Sequence, residues 1–243
     1  MTTKTSKNVD IKLLVALAAI ALTLFSAVYY TSHREITDVN VLSLRVIDAL
    51  EDTNSYRFNI STNLAIPEGE VKMISGKGSV DYRNKKLRTT MTMMDSSVEI
   101  VVIGNTAYIR ESNGTWQTQN LSGYSGSIWE SSYDQLAQQR SILLNATNVT
   151  MQKEDNGWIL DIIPDKEDLV EQMMKTGIGT IKEEELKNFI IRYWIEKGSY
   201  HITRIKNQVE LEMNLQGLVT PLKLYSVSYL DNYNEKMEIE SPI

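Results

Sequence analysis

Few side chains in this sequence are placed to do chemistry. Gly123-Tyr124-Ser125-Gly126-Ser127 has the outline of a strained nucleophile turn, but Ser127 stands where such a turn needs a second Gly. His33 and His201 are the only two histidines, too few for a three-His metal site, and His201 has no Asp or Ser at an evident triad spacing. With no Cys there is no thiol nucleophile, no disulfide framework and no Cys-ligated zinc or iron–sulfur site. Asp165, Glu167 and Asp168, and the run Glu183-Glu184-Glu185, lack the alternating carboxylates and the Gly of a calcium loop. They suit helix N-termini, where the backbone presents partial positive charge. These residues predict a protein that is not an enzyme, with no metal and no cofactor. A net charge of −6 and a pI near 5.1 lack the basic footprint that nucleic acid requires.

The methionines suggest binding instead. Met is unbranched and polarisable, so surfaces lined with it accept irregular apolar ligands. Met73, Met91 and Met93 fall on expected strands, with Ile100 and Val102 on an apolar neighbour, and Met173 and Met174 fall on an expected helix. These seven residues are the candidate lining of a ligand cavity between sheet and helices, with the Gly177/Gly179 connector as the hinge of a lid. Asn59, Asn113, Asn120, Asn145 and Asn148 each begin an Asn-x-Ser/Thr sequon, the acceptor pattern for N-glycosylation.

The N-terminus sets the expected compartment. Leu13 to Ser32 holds no charged residue, and at ~1.5 Å per residue it spans the hydrocarbon core of a bilayer. Lys4, Lys7 and Lys12 precede it, offset only by Asp10, which places the short tail in the cytoplasm and the remainder outside. Cleavage as a signal peptide would put Phe25 or Leu24 at the −3 position, where a small residue is needed. The segment therefore reads as an uncleaved signal anchor. The expected organisation is a cytoplasmic tail and single transmembrane helix over 1–34, then one extracytoplasmic domain over 35–243.

The elements that must position these residues follow from periodicity. Thr37 to Asp52 has helical spacing, with Val39, Leu42, Val46 and Leu50 along one stripe. Strand patterns then alternate with turn residues: Ser55–Ile66, Glu70–Tyr82, Lys86–Met94, Val98–Ile103, Ala107–Glu111 and Thr115–Asn120. Arg83-Asn84-Lys85, Gly104-Asn105 and Asn113-Gly114 separate them, and such short connections join antiparallel neighbours. A helix opening with the capping box Ser127-x-x-Glu130 carries Trp129, Tyr133, Leu136 and Leu143. A hairpin turns at Asn156-Gly157, and a short helix opens at Pro164-Asp165 with Leu169, Val170 and Met173 inward. A second capping box, Thr180-x-x-Glu183, precedes the last strands: Phe189–Glu196, Tyr200–Ile205, Gln208–Leu215 and Leu222–Asp231. The expected class is α+β, a transmembrane helix followed by a curved antiparallel sheet of about ten strands covered by three or four helices.

In this order the chain resembles the LolA/LppX/LprG-like superfamily of envelope carrier proteins. The resemblance rests on an amphipathic helix ending before Ser55-Tyr56-Arg57-Phe58, and on Gly76-x-Gly78 leading to Asp81-Tyr82 and a basic turn. It rests also on Gly104-Asn105-x-Ala107-Tyr108 with Trp116 beyond, and on Tyr193-Trp194-Ile195-Glu196-Lys197 followed by Tyr200 and Arg204. It covers about residues 35–232. It implies a half-open β-barrel that holds acyl chains or lipidated peptides between sheet and helices. Some relatives instead sense envelope stress through partner proteins, so a non-enzymatic sensor or interaction module with a filled cavity is the alternative. The lipid-modified Cys of the bacterial pattern is absent here and an apolar anchor stands in its place. The expected partners are therefore the membrane, a lipid-like ligand and, in the alternative, another envelope protein.

Overall fold

The computed structural model describes residues 36–66, 69–93, 96–112, 114–122, 129, 135–175, 183–215 and 218–243. The chain divides into two units, Met1–Asp38 and Val39–Ile243. The expected transmembrane segment lies outside the described residues. Among the described residues no helix is long and apolar enough to cross a membrane.

The second unit begins with helix α1 (Val39–Glu51). Its inward stripe is Leu42, Val46, Ile47, Ala49 and Leu50, all buried, and Leu42 and Val46 have no exposed surface. Burying each such side chain contributes roughly 1.5–3 kcal/mol. The Thr53 hydroxyl donates to the Ala49 carbonyl at 2.7 Å and closes the last turn.

Six strands follow: β1 (Ser55–Ile66), β2 (Gly69–Asp81), β3 (Lys86–Met93), β4 (Ser96–Ile103), β5 (Thr106–Glu111) and β6 (Gln117–Asn120). The β2–β3 turn is held by Asp81, whose carboxylate accepts the Asn84 backbone N–H at 3.0 Å and side-chain amide at 2.8 Å. Helix α2 (Gln135–Leu144) leads to β7 (Ala146–Glu154) and β8 (Gly157–Pro164). Helix α3 (Lys166–Lys175) and a single 3-10 turn (Glu183–Glu185) precede β9 (Leu186–Glu196), β10 (Ile202–Leu215) and β11 (Leu218–Asp231).

The strands form one curved, open, antiparallel sheet of 11 strands in the order β6-β5-β4-β3-β2-β1-β11-β10-β9-β8-β7. Each half is a meander, and the β1–β11 pairing joins them, with Phe58 opposite Leu230 and Ile60 opposite Ser228. The class is α+β as expected, with eleven strands and three α-helices among the described residues. One expectation is corrected: the two strands expected over Tyr200–Ile205 and Gln208–Leu215 form a single strand, β10, which begins at Ile202, with Tyr200 and His201 preceding it. Lys206 and Asn207 do not break it, because neither forbids extended backbone and each continues the alternation between faces.

The helices cover one half of the inner face. α1 packs on α2 and β7, and α2 on β7 and β8. Tyr193 of β9, fully buried, donates its hydroxyl to Gln139 of α2 at 2.6 Å. Burial holds that phenol well above its ordinary range, so it stays a donor. Near the strand ends, Leu169 and Val170 of α3 pack with Leu186, Val209 and Leu211. The C-terminal tail crosses to the outer face, where Met237 and Ile239 cover Val101.

Candidate functional site

Alternation along the first meander builds an apolar inner face over the half that the helices leave open. One rung across the sheet reads Tyr56, Val80, Leu87, Val102, Ala107 and Gln119. The next reads Phe58, Gly78, Thr89, Ile100 and Ile109. These rungs enclose a cavity of about 400 Å³, completed by Tyr82, Leu121 and Trp129. That volume falls within the range of roughly 300–1,000 Å³ for small-molecule sites. Apart from the hydroxyls of Tyr56 and Tyr82 and the amide of Gln119, the lining side chains are apolar or a lone indole N–H.

Its roof and floor have identifiable supports. The Trp129 indole N–H donates to the Gly104 carbonyl at 2.9 Å, which pins the ring to the β4–β5 turn. Gly104 has φ +58, a conformation that costs Gly little. At the floor Tyr56, 1% exposed, stacks on Tyr233, and its ring lies near those of Phe58 and Tyr82. Tyr233 in turn donates its hydroxyl to the Ile202 carbonyl and stacks on His201 at 4.1 Å. His201 is half-buried, and burial lowers its pKa from 6.5 against a weaker opposing effect of Glu196. Such a site can exclude water from an apolar chain; among its described lining residues none is a Ser, Cys, Lys, His or carboxylate.

Among the candidate cavity residues, Ile100 and Val102 line this cavity. Met91 and Met93 lie on the same face, one and two rungs beyond Phe58, beside Gly76 and Ile74. Met91 is half-buried with its sulfur over Gly76, and Met93 is 57% exposed. Met73 is the unpaired residue of a bulge in β2, between Lys72 opposite Asn63 and Ile74 opposite Thr62. Met173 and Met174 lie on α3, with side chains outside the described set. The cavity thus opens under Trp129, whereas the sheet beneath α3 is filled by Leu169, Val170, Leu186, Val209 and Leu211. Missed at the sequence level were the floor aromatics and Trp129; their alternation was readable, but their convergence depends on which strands neighbour each other.

The sequons Asn59, Asn120, Asn145 and Asn148 are all exposed, and Asn113 lies outside the described residues. The Asn120 side-chain oxygen accepts both the backbone N–H and the hydroxyl of Ser122. The Gly/Ser segment 123–128, the Ser127 and Thr180 capping boxes and the Gly177/Gly179 connector lie outside the described residues as well. Asp165 caps α3, its carboxylate accepting the N–H groups of Glu167 at 3.0 Å and Asp168 at 3.1 Å. Among the described residues no group of three or more acidic or His side chains is arranged to hold a metal.

Comparison with solved structures finds one likeness of fold and one weaker alignment. LprF from Mycobacterium bovis aligns over 83% of this chain and 95% of its own, at 12% identity and a TM-score of 0.51. A LolA-superfamily protein from Nitrosomonas europaea aligns over 84% of this chain and 96% of its own, at 10% identity and a TM-score of 0.27. No protein-family model and no curated sequence matches the chain. At these identities the likeness is one of fold, and LprF carries it: the second unit has an LprF-like fold.

Proposed function

We propose that this chain is a membrane-anchored, extracytoplasmic binding protein that holds a lipid or other long apolar ligand between its curved sheet and helices. The observation that carries the reading is the apolar cavity of about 400 Å³ beneath Trp129. An unfilled apolar space of that size lowers stability, so a fold that keeps one gains from an occupant. Each methylene buried there contributes roughly 0.8 kcal/mol, and no covalent step is needed. Ile100 and Val102 form the wall, and Met91 and Met93 continue the same face as an adaptable rim; Met173 and Met174 join that rim if α3 moves over it. Residues 1–34 tether the domain to the membrane, and residues 35–243 work outside the cytoplasm. The exposed sequons Asn59, Asn120, Asn145 and Asn148 suit that compartment. The LolA-type fold, shared with LprF, supports this reading as a scaffold whose inner face is the binding surface.

The test is native mass spectrometry of the full chain purified from its own membrane, with the bound organic fraction extracted. A stoichiometric lipid that survives washing is the expected result. A clean apo mass, with no lipid taken up on incubation, would overturn the reading and favour the interaction module.

A further inference from the structure

The inner face is not uniformly apolar. On β10 the inward side chains are Ile205, Asn207, Val209 and Leu211, so one amide interrupts a run of buried aliphatics. Asn207 pairs across the sheet with Ser226 of β11, which pairs with Thr62 of β1. Three polar side chains on consecutive strands therefore form one rung. The Thr62 hydroxyl lies 3.2 Å from that of Ser226, but the Asn207 side-chain oxygen is buried and accepts no hydrogen bond among the described residues. On its other flank stands Ile191, 1% exposed, which offers no donor. Burial of an amide oxygen without a donor is unfavourable, and such an atom requires an explanation.

The position of the rung supplies one. Thr62 is four residues from Phe58 along β1, about 13 Å at ~3.3 Å per residue. The intervening rung is apolar over β1 to β3, at Ile60, Gly76 and Met91, with the buried Ser228 of β11 opposite Ile60. An extended chain whose end sits between Phe58 and Trp129 would thus run under Met91 and reach the polar rung roughly ten carbon bonds later. We infer that the Thr62–Ser226–Asn207 rung receives a hydrogen-bond donor of the ligand, and that the ligand is an amphiphile with a hydroxyl or amide N–H near its apolar chain, not a plain hydrocarbon or a fully esterified lipid. The Asn207 oxygen accepts that donor, and the Thr62 and Ser226 hydroxyls orient around it. This inference rests on the lipid-binding reading above and narrows it to a chemical class.

The experiment compares two ligands of equal chain length on the full-length protein, held in an amphipathic polymer and read by native mass spectrometry. 1-Monodecanoylglycerol, whose hydroxyls follow a chain of about ten carbons, carries free hydroxyls; methyl decanoate carries none. The wild type is expected to retain the first about tenfold better, as a site built around a hydrogen bond discriminates against an analogue lacking it. Asn207→Leu should bring the two within about twofold, leave methyl decanoate retention unchanged and not lower the melting temperature of the empty protein. Ser226→Ala, a smaller change in volume, should move the preference in the same direction. A wild type that holds both ligands equally, or variants that keep the preference, would overturn the rung while leaving the carrier reading intact. Unfolding of Asn207→Leu together with an unmoved preference in Ser226→Ala would make the amide a packing element and also overturn it. Retention of neither ligand by the wild type would overturn both inferences.

Discussion

At the scale of single residues, the cavity depends on two glycines that do different work. A Cβ on Gly78 would lie 2.6 Å from the Arg88 carbonyl and 2.6 Å from the Phe58 ring, so a strand backbone and a cavity wall would both have to move. A Cβ on Gly76 would meet the Met91 sulfur at 2.1 Å, the far part of a flexible side chain, with the Thr90 carbonyl at 3.1 Å. Gly78→Ala is therefore expected to cost about 1–3 kcal/mol, as overpacking does, and Gly76→Ala less, in thermal or denaturant unfolding. Equal costs would show that Met91 is as fixed as Phe58. His201 gives a second prediction. Its folded-state pKa lies below the ordinary 6.5 because burial disfavours the imidazolium. Below about pH 6.5 the unfolded chain takes up a proton that the folded chain refuses, so the stability due to this group is complete above that pH and is lost as pH falls through the folded pKa. His201→Phe, which keeps a ring on Tyr233, should flatten the fall in melting temperature between about pH 7 and 5. An unchanged slope would show that His201 does not set it; carboxylates such as Glu99, whose pKa the neighbouring Arg88 guanidinium lowers, act below about pH 4.5.

At the scale of elements, α3 is short, and its start is set by one side chain. Asp165 accepts two of its first N–H groups, so Asp165→Ala should destabilise the helix by about 1 kcal/mol, read as faster amide exchange over 166–175. An exchange pattern unchanged from wild type would mean that Leu169 and Val170, packed on the sheet, hold the helix without its cap. Local elements of this kind were readable in the sequence. The α1 stripe, the Asp165 start and the turns at Asn84, Gly104 and Gly157 are set within a few residues of themselves, and the structure places them close to the expected positions. The break expected at Lys206-Asn207 was an error with a cause: a polar pair within an apolar run reads as a turn, whereas here the outward Lys206 and the inward Asn207 keep the strand continuous. The C-terminal tail was not readable at all. Its Met237 and Ile239 are buried on Val101, and the Ile239 carbonyl accepts the Lys86 ammonium from 153 positions away. Periodicity carries no record of so distant a partner. The cavity was half readable, since Ile100 and Val102 follow from alternation, while Tyr56, Leu121 and Trp129 join them only through strand order.

At the scale of the whole folded unit, the sheet is open and its two meanders have different fates. α1 and α2 fill the concave side over β7 to β9, with the buried Tyr193–Gln139 hydrogen bond as the tie. Over β1 to β5 the same face is covered by Trp129 and retains its cavity. The two halves are thereby separated in packing: the filled half can hold the fold while the open half stays underpacked. That separation makes the carrier and the interaction module distinguishable by one substitution. Ala107 is 3% exposed and sits on the cavity wall, so Ala107→Leu places its added carbons in the cavity. Because cavity filling removes a cost without removing a contact, the melting temperature should hold or rise, by the equivalent of about 1 kcal/mol. The same carbons occupy the space an acyl chain would take, so lipid retention by the full chain should fall at least about tenfold, the factor that corresponds to ~1.4 kcal/mol. A variant that melts well below the wild type would show that the wall cannot accept Leu, and the smaller Ala107→Val would then decide. If a well-folded filled variant keeps its lipid, the ligand lies elsewhere on the inner face. If wild type and variant are both lipid-free and equally competent for a protein partner, the cavity is a packing defect and the fold serves as a scaffold.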